Sequence, residues 1–101
     1  MIRHTVTFTL KHKSGSAEEG TFLDAARGLA AIAGVRKFEC LKEIGKKNSF
    51  DFGLSMEFTS MADYEAYNEH PIHVGFVQNR WIPEVIDFIE IDYDLEPAPG
   101  Y

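Results

Sequence analysis

The stretch that decides the fold is Ile2-Arg3-His4-Thr5-Val6-Thr7-Phe8-Thr9-Leu10. Its side chains alternate between two faces, which is the pattern of a β-strand with one face in a core. The threonines share one face, whereas His4 lies on the other face with Val6 and Phe8. The pattern predicts a strand whose apolar face carries one polar side chain, that of His4, pointing under the helices.

Helices and further strands follow along the chain. Ser16 is a candidate N-cap for a helix with apolar residues at helical spacing, and Gly34 suits the left-handed stop beyond its end. Either Thr59 or Ser60 can cap a second helix, which Pro71 ends because its ring removes a donor and clashes with the previous turn. The predicted elements are strand 2–10, helix 17–32, strands 35–44 and 49–58, the helix ended by Pro71, a short helix 71–79, an interruption at Pro83 and strand 86–95.

The order β-α-β-β-α-β predicts an α+β, ferredoxin-like fold in one domain over residues 1–101, with a four-stranded antiparallel sheet and both helices on one face. The other face of the sheet must then meet water or a partner. This open face is predicted to be small and semi-polar rather than rich in lysine and glutamate, which favours a homodimer with two sheets packed face to face. Its predicted members are Thr5, Thr7, Thr9, Gly53 and Ser55, together with Phe88 and Phe38.

Composition argues against several classes of protein. Hydrophobic residues make up 45 % of the chain, which is too apolar for a disordered protein. No apolar run approaches the roughly 18 residues that cross a membrane. The formal charge of −6 argues against a nucleic-acid partner. The first residues enter a strand pattern without a signal-peptide layout, so a cytoplasmic location is expected. The single cysteine, Cys40, is interpreted as a packing residue.

Three stretches resemble one known family. They are residues 2–11, residues 67–76 with their Tyr-x-x-His-Pro-x-His-Val core, and residues 91–93. Together they resemble the stress-responsive A/B barrel (Dabb) domains, and in particular the olivetolic acid cyclase-like members. The resemblance implies a dimeric α+β barrel built from two ferredoxin-like subunits. It also implies polyketide-cyclase chemistry without a cofactor, an intramolecular aldol condensation on a small apolar carbonyl compound.

Such chemistry needs a base for an acidic C–H proton, a donor for the developing enolate oxygen, and an apolar cavity. The resemblance implies that His73 is the base and Tyr67 the assisting donor, with His4 near them in the pocket. Histidine titrates near neutrality and a tyrosine hydroxyl donates a hydrogen bond, so these residue types suit the roles. The remaining predicted pocket residues are Phe22, which matches an aromatic of the family's tail-binding pocket, Phe8 and His70.

Two of these histidines could instead have structural roles. His4 can be a core histidine satisfied by one hydrogen bond, and His70 can bond a free carbonyl at the helix end before Pro71. His70 and His73 could share a metal ion, but nearby residues supply no complete ligand set. We therefore expect neither a metal nor another cofactor.

Three functions fit these observations. The first is a cofactor-free cyclase or lyase acting on a small apolar carbonyl compound. The second is a stress-responsive or small-ligand-binding dimer without turnover. The third is a cofactorless monooxygenase, which rests on fold analogy alone. The enzyme needs His73 and Tyr67, preferably with His4, around a cavity of several hundred cubic ångströms, whereas the binding protein can have a filled core there.

Overall fold

The computed structural model describes residues 1–95 and has the predicted order of elements; residues 96–101 of the predicted domain lie outside the described part. The strands are β1 (Ile2–Leu10), β2 (Arg36–Lys42), β3 (Phe52–Phe58) and β4 (Val85–Asp94). The helices are α1 (Ala17–Arg27), α2 (Met61–Glu69), α3 (Pro71–Phe76) and the single turn α4 (Ile82–Glu84). A 3₁₀ turn, Gly28–Ala31, follows α1, and a π-helical segment, Val77–Trp81, joins α3 to α4.

The four strands form one antiparallel sheet in the order β2-β3-β1-β4. β1 is paired with β3 on one side and with β4 on the other, so β2 and β4 lie at the edges. This topology confirms the predicted ferredoxin-like α+β fold. No helix within residues 1–95 is long and apolar enough to cross a membrane.

One hydrophobic core lies between the sheet and the helices. Phe8 is fully buried and Leu10 nearly so, as the alternation of β1 predicts. The Phe8 ring packs against Phe22 of α1, with ring centroids 5.8 Å apart, and against Phe52 of β3 at 5.9 Å. These contacts between aromatic rings hold β1, β3 and α1 together at the centre of the domain.

Short polar side chains set where the helices begin. The Glu19 amide donates to Ser16 Oγ at 3.2 Å at the start of α1, as predicted. At the start of α2 the cap is Ser60, whose Oγ accepts from the Asp63 amide at 3.2 Å. Gly34, with φ of +91°, adopts the left-handed conformation expected of a helix stop.

The helical stretch from Pro71 to Glu84 differs from its prediction. The amide of Ile82 donates to the carbonyl of Val77, five residues earlier, which is the π-helical pattern. Pro83 then lies in the first turn of α4, a helical position that tolerates proline. The predicted interruption at Pro83 is therefore wrong, because the chain stays helical up to β4.

The side of the sheet on which Phe88 lies also differs from its prediction. Phe88 of β4 is directly opposite Phe8 in the ladder, and its ring meets Trp81 at 5.5 Å, so it lies on the helix side. Phe38 packs against the core as well. Placing Phe88 and Phe38 on the open face was wrong. In β2 the register shifts between Arg36 and Glu39, which interrupts the alternation at Phe38. In β4 both faces carry apolar residues. Only the pairing with β1 decides which face is inside.

The open face of the sheet carries the other set of β4 residues. Ile91 lies opposite Thr5 and Ile89 opposite Thr7, and these isoleucines are 45 % and 49 % exposed. Tyr93 extends the same face and is half exposed. The open face is therefore more apolar than the threonine-rich surface that the sequence predicts.

Candidate active site

A cavity of about 500 Å³ lies between the β1–β4 half of the sheet and the helical stretch after Tyr67. This volume is within the range of small-molecule sites, which span about 300–1,000 Å³. Strand residues form its floor, and residues of α2, α3, the π-helical segment and α4 form its walls. The lining residues are His4, Val6, Leu54, Tyr67, Asn68, His73, Phe76, Val77, Trp81, Ile82, Phe88 and Glu90.

The His73 side chain is held in one orientation by the end of α2. Its Nδ1 lies 3.0 Å from the main-chain oxygen of Asn68. A carbonyl oxygen only accepts, so Nδ1 carries the hydrogen and donates. Nε2, on the other edge of the ring, is then the basic nitrogen when His73 is neutral. Burial lowers the pKa of the His73 imidazole below its usual value, and the neighbouring His4 lowers it further.

Tyr67 lies against His73, with ring centroids 4.4 Å apart. It is 2 % exposed, and its ring also packs on Phe58 of β3 at 5.1 Å. Burial raises the pKa of the Tyr67 phenol above its usual value, and the Glu90 carboxylate raises it further. The hydroxyl therefore stays protonated at neutral pH and can serve as a hydrogen-bond donor.

His4 is buried, and a carboxylate and a phenol meet its ring. Its Nδ1 lies 2.6 Å from Oδ1 of Asp92 and 3.0 Å from Oη of Tyr64. The Tyr64 hydroxyl donates to Oδ2 of Asp92 at 2.9 Å. The Asp92 carboxylate thus accepts from both groups, which assigns the hydrogen to Nδ1 of His4 in its neutral form. The core and pocket interpretations of His4 are not exclusive, because the buried ring also lines the cavity.

The other predicted pocket residues lie beside the cavity rather than along it. Phe8 and Phe22 are fully buried, and both pack against Trp81, which does line the cavity. His70 caps α3: its Nδ1 accepts from the amide of Ile72 at 3.1 Å. The expectation that His70 bonds a carbonyl at the end of α2 is therefore wrong, since the next helix takes this side chain as an acceptor.

Several residues around the cavity were missed by the sequence analysis. Tyr64 and Asp92 complete the hydrogen bonds of His4, and Asn68 orients His73. A buried histidine on a strand needs a polar partner, and Asp92 was available on a predicted strand. Trp81 had no such signal, because the π-helical segment that turns it towards the sheet was not predicted.

Among the described residues, one group of side chains could hold a metal ion. His4, Glu90 and Asp92 each offer a ligand atom, and these atoms lie within 4.8 Å of one another. Nδ1 of His4 already donates to Asp92, so a metal ion would have to displace that hydrogen. Without a metal ion, His4 and Asp92 form a hydrogen-bonded histidine–carboxylate pair. Chemically, the cavity brings together a neutral imidazole, a protonated phenol and an apolar wall.

Comparison with known proteins identifies one family model. The model of the stress responsive A/B barrel domain (Dabb) matches residues 2–95. Curated protein sequences gave no match. A solved structure of a Dabb family protein with a ferredoxin-like fold, from Mesorhizobium loti MAFF303099, is 56 % identical with a TM-score of 0.91, over 95 % of this chain and 97 % of that chain.

Two more distant structures share the fold. A dimeric ferredoxin-like protein from Thermobifida fusca YX is 21 % identical with a TM-score of 0.78, over 93 % of this chain and 90 % of that chain. The hydroxynitrile lyase from Passiflora edulis is 16 % identical with a TM-score of 0.83, over 96 % of this chain and 94 % of that chain. At these identities the likeness establishes the fold alone.

Proposed function

Since the chain belongs to the stress-responsive A/B barrel (Dabb) family, we propose that it is a cofactor-independent enzyme that removes a proton from a small apolar carbonyl compound. The reaction is a cyclase or lyase step, with an intramolecular aldol condensation of the olivetolic acid cyclase-like kind as the first candidate. The observation that carries the proposal is the pair of His73 and Tyr67, with rings 4.4 Å apart at the wall of a cavity of about 500 Å³.

His73 is the general base. Its Nδ1 is occupied by the Asn68 carbonyl, so Nε2 accepts the proton from a C–H group next to a carbonyl. The lowered pKa of His73 keeps the ring neutral, and therefore able to accept a proton, at pH 7. The electron pair of the C–H bond moves into the carbonyl and forms an enolate.

Tyr67 supplies the donor for this enolate. Its raised pKa keeps the hydroxyl protonated, and a hydrogen bond to the developing oxyanion stabilises the transition state. In the aldol case the enolate carbon attacks a second carbonyl carbon of the same molecule. A C–C bond forms, and the resulting alkoxide takes up the proton held by His73, so that the base is regenerated.

One distant neighbour supports an enzyme on this scaffold. A hydroxynitrile lyase has the same fold at 16 % identity, so the fold accommodates a lyase site in that protein. The likeness carries no information about the substrate of the present chain. The support for catalysis therefore rests on the side chains in the cavity.

Proton abstraction can be tested without knowing the natural substrate. Phenylacetone has an aromatic body and an acidic CH₂ group beside a carbonyl, and its exchange with D₂O is followed by NMR. We expect the folded protein to accelerate this exchange beyond free imidazole at the same concentration. If the folded protein accelerates the exchange no more than heat-denatured protein does, the proposal that it is an enzyme is wrong. Saturable binding of phenylacetone without exchange would favour the alternative, a non-catalytic, stress-responsive or small-ligand-binding dimer.

We also propose that the protein is a homodimer with the open sheet faces packed together. Ile89, Ile91 and Tyr93 leave an exposed apolar surface on this face, and burying it against a second copy removes it from water. Neighbours of the same fold are described as dimeric. A cytoplasmic location stays a prediction from the sequence.

A further inference from the structure

Glu90 places a carboxylate in the lining of the cavity. It lies on the helix side of β4, opposite Val6 of β1, and lines the cavity. Its side chain is 51 % exposed, so a carboxylate at this position meets both the solvent and whatever occupies the cavity. Phe88, two residues earlier on the same face, belongs to the aromatic part of the lining.

The charge of Glu90 is not balanced by a basic side chain. Among the described residues that line the cavity there is no lysine or arginine. Arg80 of the neighbouring π-helical segment is bound to Glu84 at 2.6 Å, and Arg3 of β1 is paired with Glu57. His73 is neutral at pH 7 because burial lowers its pKa. A ligand in the cavity therefore meets the Glu90 carboxylate without a lysine or arginine of the described lining beside it.

The two carboxylates on this face of β4 differ in their partners. Asp92 accepts hydrogen bonds from His4 and from Tyr64. Within residues 1–95 the Glu90 carboxylate makes no hydrogen bond, and Nδ1 of His4 lies 3.7 Å from it, beyond hydrogen-bonding distance. Both oxygens of Asp92 thus accept hydrogen bonds within the protein, whereas the oxygens of Glu90 remain available to a ligand.

Aromatic side chains provide the complementary half of the site. Trp81 and Phe88 meet edge to face with ring centroids 5.5 Å apart, and Val6 and Leu54 extend the apolar floor. An aromatic or aliphatic body packs against these side chains. Its polar end would then reach the Glu90 side of the cavity.

We propose that the cavity selects a compound with a small apolar body and a protonated amine, which Glu90 binds, and that it discriminates against carboxylates. This inference rests on the proposed function and names its substrate class: an amino ketone in preference to a keto acid. An ammonium group can donate up to three hydrogen bonds to the free carboxylate oxygens. A carboxylate ligand would instead meet a like charge in a partly desolvated site.

Three compounds of nearly equal size and different charge test this selection. Phenethylamine, phenethyl alcohol and phenylacetate are titrated into the wild-type protein at pH 7, with EDTA present so that no metal ion occupies the His4–Glu90–Asp92 group. Binding is followed by calorimetry and by the NMR signals of the histidine rings. We expect the amine to bind roughly fivefold more tightly than the alcohol, the range of a half-exposed ion pair, and phenylacetate to bind most weakly.

Glu90→Gln should remove the difference between the amine and the alcohol. The matched control is Asp87→Asn, which makes the same charge change on the opposite face of β4 and should preserve the order. Equal affinities for all three compounds, or tightest binding of phenylacetate, would overturn the charge selection while leaving a small-molecule site. No binding of any compound would overturn this inference, whereas the proposed function is tested separately by the exchange of phenylacetone. A preference for the amine that survives in Glu90→Gln would show that another group selects it.

Discussion

Nδ1 of His73 donates to the main-chain oxygen of Asn68 across 3.0 Å, and this contact determines which nitrogen of the ring is basic. The bond is possible because Pro71 ends α2 two residues after Glu69, which leaves carbonyls of the last turn without helical partners. The proline that breaks the helix thus also creates the acceptor that orients the candidate base.

His73→Ala should abolish most of the catalysed exchange of phenylacetone. General-base catalysis typically contributes about 10²–10⁴-fold, so a loss in that range is expected, with a nearly unchanged melting temperature. The control is His70→Ala, which removes the other imidazole beside Pro71, the one that caps α3 and is not among the described lining residues. Equal losses of exchange rate in the two variants would contradict the role of His73 as the general base.

Tyr67→Phe should reduce exchange less than His73→Ala does. The change keeps the ring that packs on His73 and Phe58 and deletes only the hydroxyl. Loss of one hydrogen bond to the enolate anion, about 1.5–3 kcal/mol, corresponds to roughly a 10- to 150-fold loss of rate. An unaltered rate in Tyr67→Phe would exclude the hydroxyl as the donor.

Acid should destabilise the protein through His73. Burial lowers the pKa of His73 in the folded state below the ordinary value of 6.5, and His4 of β1 adds to the shift while Glu90 of β4 opposes it. Below pH 6.5 the unfolded chain takes up a proton at His73 that the folded chain does not. The free energy of unfolding should therefore fall as the pH falls through this window.

Urea unfolding at several pH values between about 7.5 and 5 measures this effect. We expect the free energy of unfolding to fall less in His73→Ala than in the wild type over this range. A steeper loss in His73→Ala than in the wild type would contradict the depressed pKa.

Phe52→Ala should destabilise the fold by about 3–5 kcal/mol, the range for truncation of a buried phenylalanine. Phe52 is 7 % exposed and packs on Phe8 at 5.9 Å. Ile44→Ala, at a position 84 % exposed, is the control and should change the free energy of unfolding by less than about 0.5 kcal/mol. A loss below about 1 kcal/mol for Phe52→Ala in urea denaturation would contradict its place in the core.

Thr7→Lys should weaken the proposed dimer. Thr7 lies opposite Ile89 on the open face, so each subunit would bring an added positive charge to the apolar contact. Sedimentation at low micromolar protein should show a shift towards monomer. Thr21→Lys, on the helix side of the molecule, is the control. If Thr7→Lys sediments as the wild type does, the open face is not the interface.

Local patterns were sufficient for β1 and insufficient for β4. The alternation of β1 placed Phe8 and His4 inwards, because only one of its faces is apolar. In β4, Phe88 and Ile89 are neighbours of similar hydrophobicity, so local sequence could not decide which one is buried. The antiparallel register with β1 decides it, and this register is a long-range property of the sheet.

The candidate site was predictable only in part for the same reason. His4, Tyr67 and His73 came from the alternation of β1 and from the family motif, and all three line one cavity. Asp92 and Glu90 belong to the face of β4 that local sequence could not assign. Their relation to the cavity depends on the register of the sheet.

The alternation of β4 has a consequence for how activity depends on protein concentration. Ile89 and Ile91 are available to a second copy, while Phe88, Glu90 and Asp92 alternate with them on the helix side of β4. β4 is an edge strand, supported by β1 on one side only. Packing of the isoleucines against another subunit would stiffen the same backbone that positions Glu90 and Asp92. Turnover per subunit should then fall on dilution below the dissociation constant of the dimer, although each cavity is built from one chain.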